Sequence, residues 1–181
     1  MVLEELQTID FKSFDKISHL ANCKYLNAVI NESLICDPPG SLINNSSVKD
    51  FKLNGKHNSY IIHKGTRIVS NIHALHRNLE AWSQLPQPQV TPLDKFDPTR
   101  FLSSANEIIG SDYYMPFGKG LRKCPGQIVG LAMIRIFISC LLIKNPNCQI
   151  SISKDHPLDS ENSHFNIMSH ATFKIKTSIE K

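Results

Sequence analysis

The sequence predicts a mainly α protein with small β-sheets, an α+β fold read as one domain of 181 residues. Three observations carry that reading. Residues 127–143, QIVGLAMIRIFISCLLI, are apolar nearly all round, as a long helix buried in a core would be. Within 20–34, Tyr25, Leu26, Val29, Ile30 and Leu34 recur at helical spacing. Two short runs, 59–62 and 67–71, are rich in β-formers and flank the turn His63-Lys64-Gly65-Thr66.

The elements follow in order. The start, Met1-Val2-Leu3-Glu4-Glu5-Leu6-Gln7, has no basic stretch leading into an apolar core, so no signal peptide or membrane anchor is read there. The helical pattern of 20–34 is stopped by Asp37-Pro38-Pro39-Gly40, because proline can neither donate to a helix nor follow a helical residue easily. Residues 44–58 are polar and read as a loop. After the two strands, 85–98 (LPQPQVTPLDKFDP) reads as an irregular meander. The apolar helix falls short of the roughly 20 residues of a membrane span and carries Arg135 in mid-course, so a core position is expected. The tail 149–181 alternates weakly and is expected to hold two or three edge strands, such as 172–175. No repeat or low-complexity tract interrupts the chain.

Composition narrows the function classes. A net charge of +4, with lysines and arginines scattered, argues against a nucleic-acid partner. Five cysteines, odd in number and without a C-x-x-C, argue against a disulfide framework and a structural zinc site, and for a reducing compartment. The three glycosylation sequons at 31–33, 44–46 and 45–47 read as chance matches. His73 and His76 have no third ligand close in sequence, and no Ser-His-Asp or paired-carboxylate arrangement stands out.

One segment carries chemistry: Phe117-Gly118-Lys119-Gly120-Leu121-Arg122-Lys123-Cys124-Pro125-Gly126. Cysteine binds metal as the thiolate, which nearby positive charge favours, and Lys119, Arg122 and Lys123 supply it. Pro125 suits a first helical position, which would put Cys124 at the N-cap with the Gly126 and Gln127 amides close to sulfur. Gly118 and Gly120 permit turns closed to other residues, and Gly126 leaves room for a flat group to approach. The plain alternative is a glycine-rich turn with a buried structural cysteine.

These residues fit F-x-x-G-x-R-x-C-x-G, and the chain resembles the cytochrome P-450 family on that loop and on three further segments. Residues 25–34 followed by Pro38-Pro39 look like the family's K helix and its exit. Lys64-Gly65-Thr66 through His76-Arg77 and Trp82 look like its small sheet and following turn. Phe96-Asp97-Pro98-Thr99-Arg100-Phe101 matches its F-x-P-x-R-F meander. The resemblance runs over about residues 20–145 and implies one partial domain: K-helix-like 20–39, sheet and turn 55–82, meander 85–116, haem-thiolate loop 117–126, L-helix-like 127–144 and carboxy-terminal strands 145–181. It implies the proximal part of the fold with the distal helices missing, a truncated chain, and an apolar helix left partly open to water or another chain.

The resemblance also implies a cofactor and roles. Haem b would be held with Cys124 as axial iron ligand. Phe117 would pack near the sulfur, Gly118 and Gly126 would leave room, and Arg122 and His76 would reach the propionates. Glu32 and Arg100 would serve as scaffold, and no catalytic residue is assigned. The implied reaction is oxidoreductase chemistry, insertion of one oxygen atom from dioxygen into a small organic substrate with electrons from a reductase. The implied place is the cytoplasmic side, at the endoplasmic reticulum membrane if a longer parent carries an anchor. Self-association through the uncovered face is the further partner expectation. Two family positions differ: Ile35 stands where the K-helix arginine belongs, and Asn45 where many members carry a propionate-binding arginine. Ile35 favours one alternative, a non-catalytic relic, and the missing half implied by the resemblance leaves two more open, a haem- or partner-binding module and an oxygen-independent haem-thiolate isomerase or dehydratase.

Overall fold

Helix α3 (Lys24–Cys36) organises the chain because it has two apolar faces. Ala28 and Ile35 face one cluster with Trp82, Leu93, Phe101, Ile108 and Tyr114. Leu26, Ile30 and Leu34, four residues apart, face a second with Leu6, Leu20 and Cys23. In this computed structural model the described residues are 1–9, 16–84, 92–93, 95–147, 149–152 and 173–176.

On the second face lie α1 (Val2–Gln7), α2 (Lys16–Ala21) and α8 (Gln127–Lys144). The pattern expected as one helix from residue 20 divides, because the chain turns where the Asn22 and Cys23 amides bond the His19 and Leu20 carbonyls. Cys23 then offers α3 no side-chain cap. Glu5 does so from α1, its two carboxylate oxygens accepting the Tyr25 and Leu26 amides at 3.0 Å each. At the other end Arg77 donates to the Ile35 and Cys36 carbonyls at 3.4 and 2.5 Å. Both ends of the central helix are therefore satisfied by residues distant in sequence.

Four strands make two antiparallel pairs. β1 (Leu42–Ser46) pairs β4 (Arg67–Asn71) with Leu42 opposite Asn71, and β2 (Phe51–Asn54) pairs β3 (Ser59–Ile62) with Phe51 opposite Ile62. β3 and β4 have the expected bounds and the turn between them, but each pairs backwards along the chain rather than with the other. Of residues 44–58, expected as loop, 44–46 are corrected to the end of β1 and 51–54 to β2, while 47–50 and 55–58 are neither helix nor strand. Both strands are largely exposed, so neither face needs the apolar alternation that marks a strand in sequence. In the tail, β5 (Gln149–Ile152) pairs β6 (Phe173–Lys176) antiparallel, as the weak alternation suggested; Thr172 lies outside the described residues.

Short helices follow, and Trp82, Phe101 and Ile108 from three of them pack on the first face of α3. α4 (Ile72–Leu75) and α5 (Leu79–Trp82) are each capped by an asparagine, Asn71 accepting the Ala74 amide and Asn78 the Ala81 amide. α6 (Arg100–Ser103) and α7 (Ala105–Gly110) follow the meander. Of the expected meander 85–98, residues 85–91 and 94 lie outside the described residues, and the described remainder is neither helix nor strand.

The apolar helix α8 has the predicted bounds but not the predicted burial. Leu131, Ile138 and Leu142 pack against the second cluster, while Val129, Met133 and Phe137, on one stripe, are 61%, 65% and 68% exposed. Having no polar face, the helix cannot avoid presenting apolar surface on its outer side. That corrects the core expectation and agrees with the expected opening of this helix. By length and composition α8 would suffice to cross a membrane. Arg135, however, turns inward, and its Nε donates to Asn27 Oδ1 on α3 at 2.8 Å.

Candidate functional site

The cysteine loop is closed by two backbone bonds. The Gly118 amide donates to the Met115 carbonyl at 3.0 Å, and the Cys124 amide to the Phe117 carbonyl at 2.9 Å. Between them Gly118 and Gly120 both hold φ near +72°, the left-handed region in which a Cβ is strained, and 120–122 form a single 3₁₀ turn. A Cβ on Gly118 would also come within 3.4 Å of Ile43 Cδ1, so this glycine lets the loop lie against β1.

Cys124 is exposed, which removes the alternative of a buried structural cysteine. Its expected place at the N-cap is corrected. The cap of α8 is Gly126, and Pro125-Gly126 form a preceding turn in which the Gln127 amide bonds the Cys124 carbonyl at 3.4 Å. The first α-helical bond is from the Gly130 amide to the Gly126 carbonyl, so sulfur stands outside the helix proper. A Cβ at Gly126 would lie 3.8 Å from Sγ, and the glycine keeps that side of the sulfur open.

Beside the thiol is a cleft of about 680 Å³, within the roughly 300–1,000 Å³ of small-molecule sites. Met115, Pro116, Phe117 and Gly118 form one wall; Ile43, Asn44 and Asn45 of β1, with Ser70 of β4 and the Pro39-Gly40 exit of α3, form the other. Phe117 also packs against the second core cluster, so it joins the cleft to the fold. Arg122 lines the cleft with its guanidinium accessible, whereas Lys119, also lining it, pairs with Asp112. Asn45 reaches the same cleft from the far wall, offering amide hydrogen bonds without charge.

Other predicted residues stand behind the cleft. Glu32 and Arg100 form a fully buried pair: Arg100 Nε lies 3.1 and 2.9 Å from the two carboxylate oxygens. The Asp97 amide adds a bond to Glu32 at 2.9 Å, and Arg100 Nη2 reaches the Pro92 and Lys95 carbonyls at 3.3 and 2.9 Å. Burial pushes the Glu32 carboxyl up, against the pull of the Asp97 amide and Arg100. Ile35 is 0% exposed and sits in the first apolar cluster. The arginine the family would place there is replaced by packing, and Arg100 keeps Glu32 from being stranded.

His76 is not among the residues lining the cleft. It is fully buried, and its Nε2 accepts the Met115 amide at 3.1 Å. Burial lowers its pKa to about 4, and the neighbouring Arg77 and His73 push the same way, so the ring is neutral near pH 7. A neutral acceptor already engaged by backbone cannot also donate from Nε2 to a propionate.

The order of these segments is matched by known proteins. The family model described as Cytochrome P-450 matches residues 1–176. This chain belongs to the cytochrome P-450 family. Among curated relatives, a dimethylnonatriene synthase of Arabidopsis thaliana is 32% identical over 143 residues, 78% of this chain and 25% of that protein. A nicotine N-demethylase of Nicotiana tabacum is 33% identical over 148 residues, again 78% and 25%. A germacrene A hydroxylase of Helianthus annuus is 32% identical over 138 residues, 75% and 26%. The chain thus spans about a quarter of the length of the curated relatives it matches.

The cytochrome P-450 family uses haem, and the residues present suit such a group. Among the described residues no set of three or more His, Cys, Asp or Glu could hold a bare metal ion. The Cys124 thiol at the cleft could supply one ligand to a metal that brings its other ligands with it. The apolar wall of Ile43, Met115, Pro116 and Phe117 suits a flat macrocycle, and Arg122 suits an anionic edge. The sequence did not single out Ile43, Asn44, Ser70 or Met115. The proline-rich exit after α3 and Asn45 were the cues to this wall.

Proposed function

We propose that this chain is the cysteine-bearing, proximal part of a haem-thiolate monooxygenase, with Cys124 as the axial ligand of haem b. The observation that carries this reading is the exposed Cys124 on the rim of a cleft whose other contributors are Phe117, Gly118, Arg122 and β1. Bound haem would supply dioxygen activation and oxygen insertion into an organic substrate, with electrons from a reductase. The chain's own residues do the rest. The two left-handed glycines fold the loop so that sulfur is presented outward, and Gly126 keeps its approach clear. Phe117 would exclude water on the side facing the core, and Arg122, which lines the cleft, would meet a carboxylate of the bound group.

The proposed domain organisation follows the same assignment. α3 takes the K-helix place, β1–β4 with α4 and α5 the small sheet and turn, and α8 the L-helix place. Glu32 and Arg100 brace the meander against α3 rather than touching the cleft. A second reading, binding of haem or a partner without turnover, is favoured by the openness of the cleft and the bare outer side of α8.

Titration of the purified chain with hemin tests the proposal. Saturable binding near one haem per chain, weakened in Arg122→Ala and lost as thiolate ligation in Cys124→Ala, supports it. Identical titrations for all three proteins would refute it.

A further inference from the structure

We propose that His76 is a positioning residue of the cysteine loop, its unprotonated Nε2 holding the Met115 amide at the point where the chain enters the loop. The inference rests on the loop's being the functional site but not on what the loop binds.

Three hydrogen bonds link His76 to Cys124. Nε2 accepts the Met115 amide at 3.1 Å, the Met115 carbonyl accepts the Gly118 amide at 3.0 Å, and the Phe117 carbonyl accepts the Cys124 amide at 2.9 Å. The imidazole is itself held from two sides. Its ring stacks on Tyr114 with centroids 5.6 Å apart and planes at 18°, and Tyr114 Oη donates to Asn31 Oδ1 on α3 at 2.7 Å. Its backbone amide bonds the Ile72 carbonyl at 2.9 Å, continuing α4. The loop is thereby registered to α3 and to the end of β4 through one side chain.

The bond with Met115 fixes the tautomer. An Nε2 that accepts must be unprotonated, so the ring proton is on Nδ1. Nδ1 is then a buried donor with no hydrogen-bond partner among the described residues. An apolar ring would fill the space beside Tyr114 without that cost. Keeping imidazole there gains one thing an apolar ring lacks, an acceptor aimed at Met115. Burial first, with Arg77 and His73 adding to it against the pull of the Leu34 and Ile35 carbonyls, keeps the ring neutral and so preserves that acceptor.

The test uses the whole chain and needs no haem. The nitrogen-15 resonances of His76 at pH 7 should show protonated Nδ1 and unprotonated Nε2; an Nε2–H tautomer would overturn the proposal. Amide hydrogen exchange is then compared in His76→Phe, which keeps a ring on Tyr114, and His76→Gln, which restores an acceptor. Loss of one net hydrogen bond should speed exchange at Met115, and at Gly118 beyond it, on the order of tenfold in His76→Phe. His76→Gln should recover most of the protection, and the Ile30 amide in α3 should not change. Equal acceleration at Ile30, or no rescue by glutamine, would show that His76 only packs. Unchanged Met115 exchange would show that its bond holds nothing in place. A chain that passes these measurements yet fails the hemin titration would keep the positioning role and lose the haem reading.

Discussion

Replacing Ile35 by arginine restores the residue that the family pattern expects, and the structure predicts that it destabilises the chain. Ile35 is fully buried among Ala28, Trp82, Phe101 and Ile108, so the substitution removes an isoleucine whose burial is worth about 1.5–3 kcal/mol. The longer side chain overpacks the site by about 1–3 kcal/mol. Its charge finds both Glu32 oxygens already engaged by Arg100 and the Asp97 amide. An uncompensated buried charge costs about 3–5 kcal/mol. These terms overlap, and partial contact with Glu32 offsets some of them, so a net loss of about 3–5 kcal/mol is expected. Trp82, the single tryptophan, touches the same cluster and reports urea unfolding by its fluorescence. The midpoint should fall by on the order of 2 M urea, while Ile35→Val loses only about 0.5–1.5 kcal/mol. Equal or higher stability in Ile35→Arg, abolished by adding Glu32→Gln, would mean that a three-member network forms and that the apolar account of this site is wrong.

Three further outcomes are expected. Glu5→Ala should cost about 1–2 kcal/mol in the same urea assay, because the Tyr25 and Leu26 amides lose their cap, and Glu5→Gln should cost less. His76 has its pKa lowered from 6.5 to about 4 by burial, so the folded state binds fewer protons than the unfolded one between those values. Its contribution is present above pH 6.5 and is lost as pH falls toward 4, by about 3 kcal/mol, and a His76→Gln chain titrated by urea unfolding should lack that part of the acid sensitivity. The stripe Val129, Met133 and Phe137 should bind an anilinonaphthalene dye, and Phe137→Ser should reduce the fluorescence with little change in stability.

What the sequence displayed depended on whether a residue's role is local. The helical spacing of Leu26, Ile30 and Leu34, the strand bounds of β3 and β4, and the glycines at 118 and 120 are local, and each could be read directly; the second apolar face of α3, with Ala28 and Ile35, could not. β1 and β2 were hidden because polar residues suffice on strands that bury neither face. The burial of α8 was misjudged because uniform apolarity gives no direction, and only the fold shows which side has neighbours. At the site, Cys124, Phe117, Gly118 and Arg122, neighbours in one loop, all line the cleft. His76 does not join them, since a motif gives its distance along the chain and not the side of the cleft wall on which it falls. Glu5 as the cap of α3, and Ile43 opposite the loop, are contacts between distant segments that no single-sequence pattern encodes.

The central claim concerns one sulfur atom, and the absorption spectrum of the reduced, carbon monoxide-treated, haem-loaded chain tests it most directly. Cys124 and Cys140 are both exposed, so Cys140→Ala controls for a thiol that stands away from the cleft. The parent chain and Cys140→Ala should show the strongly red-shifted Soret band of thiolate ligation, and Cys124→Ala should not. The same red-shifted band in Cys124→Ala, or its loss in Cys140→Ala alone, would contradict the assignment of Cys124.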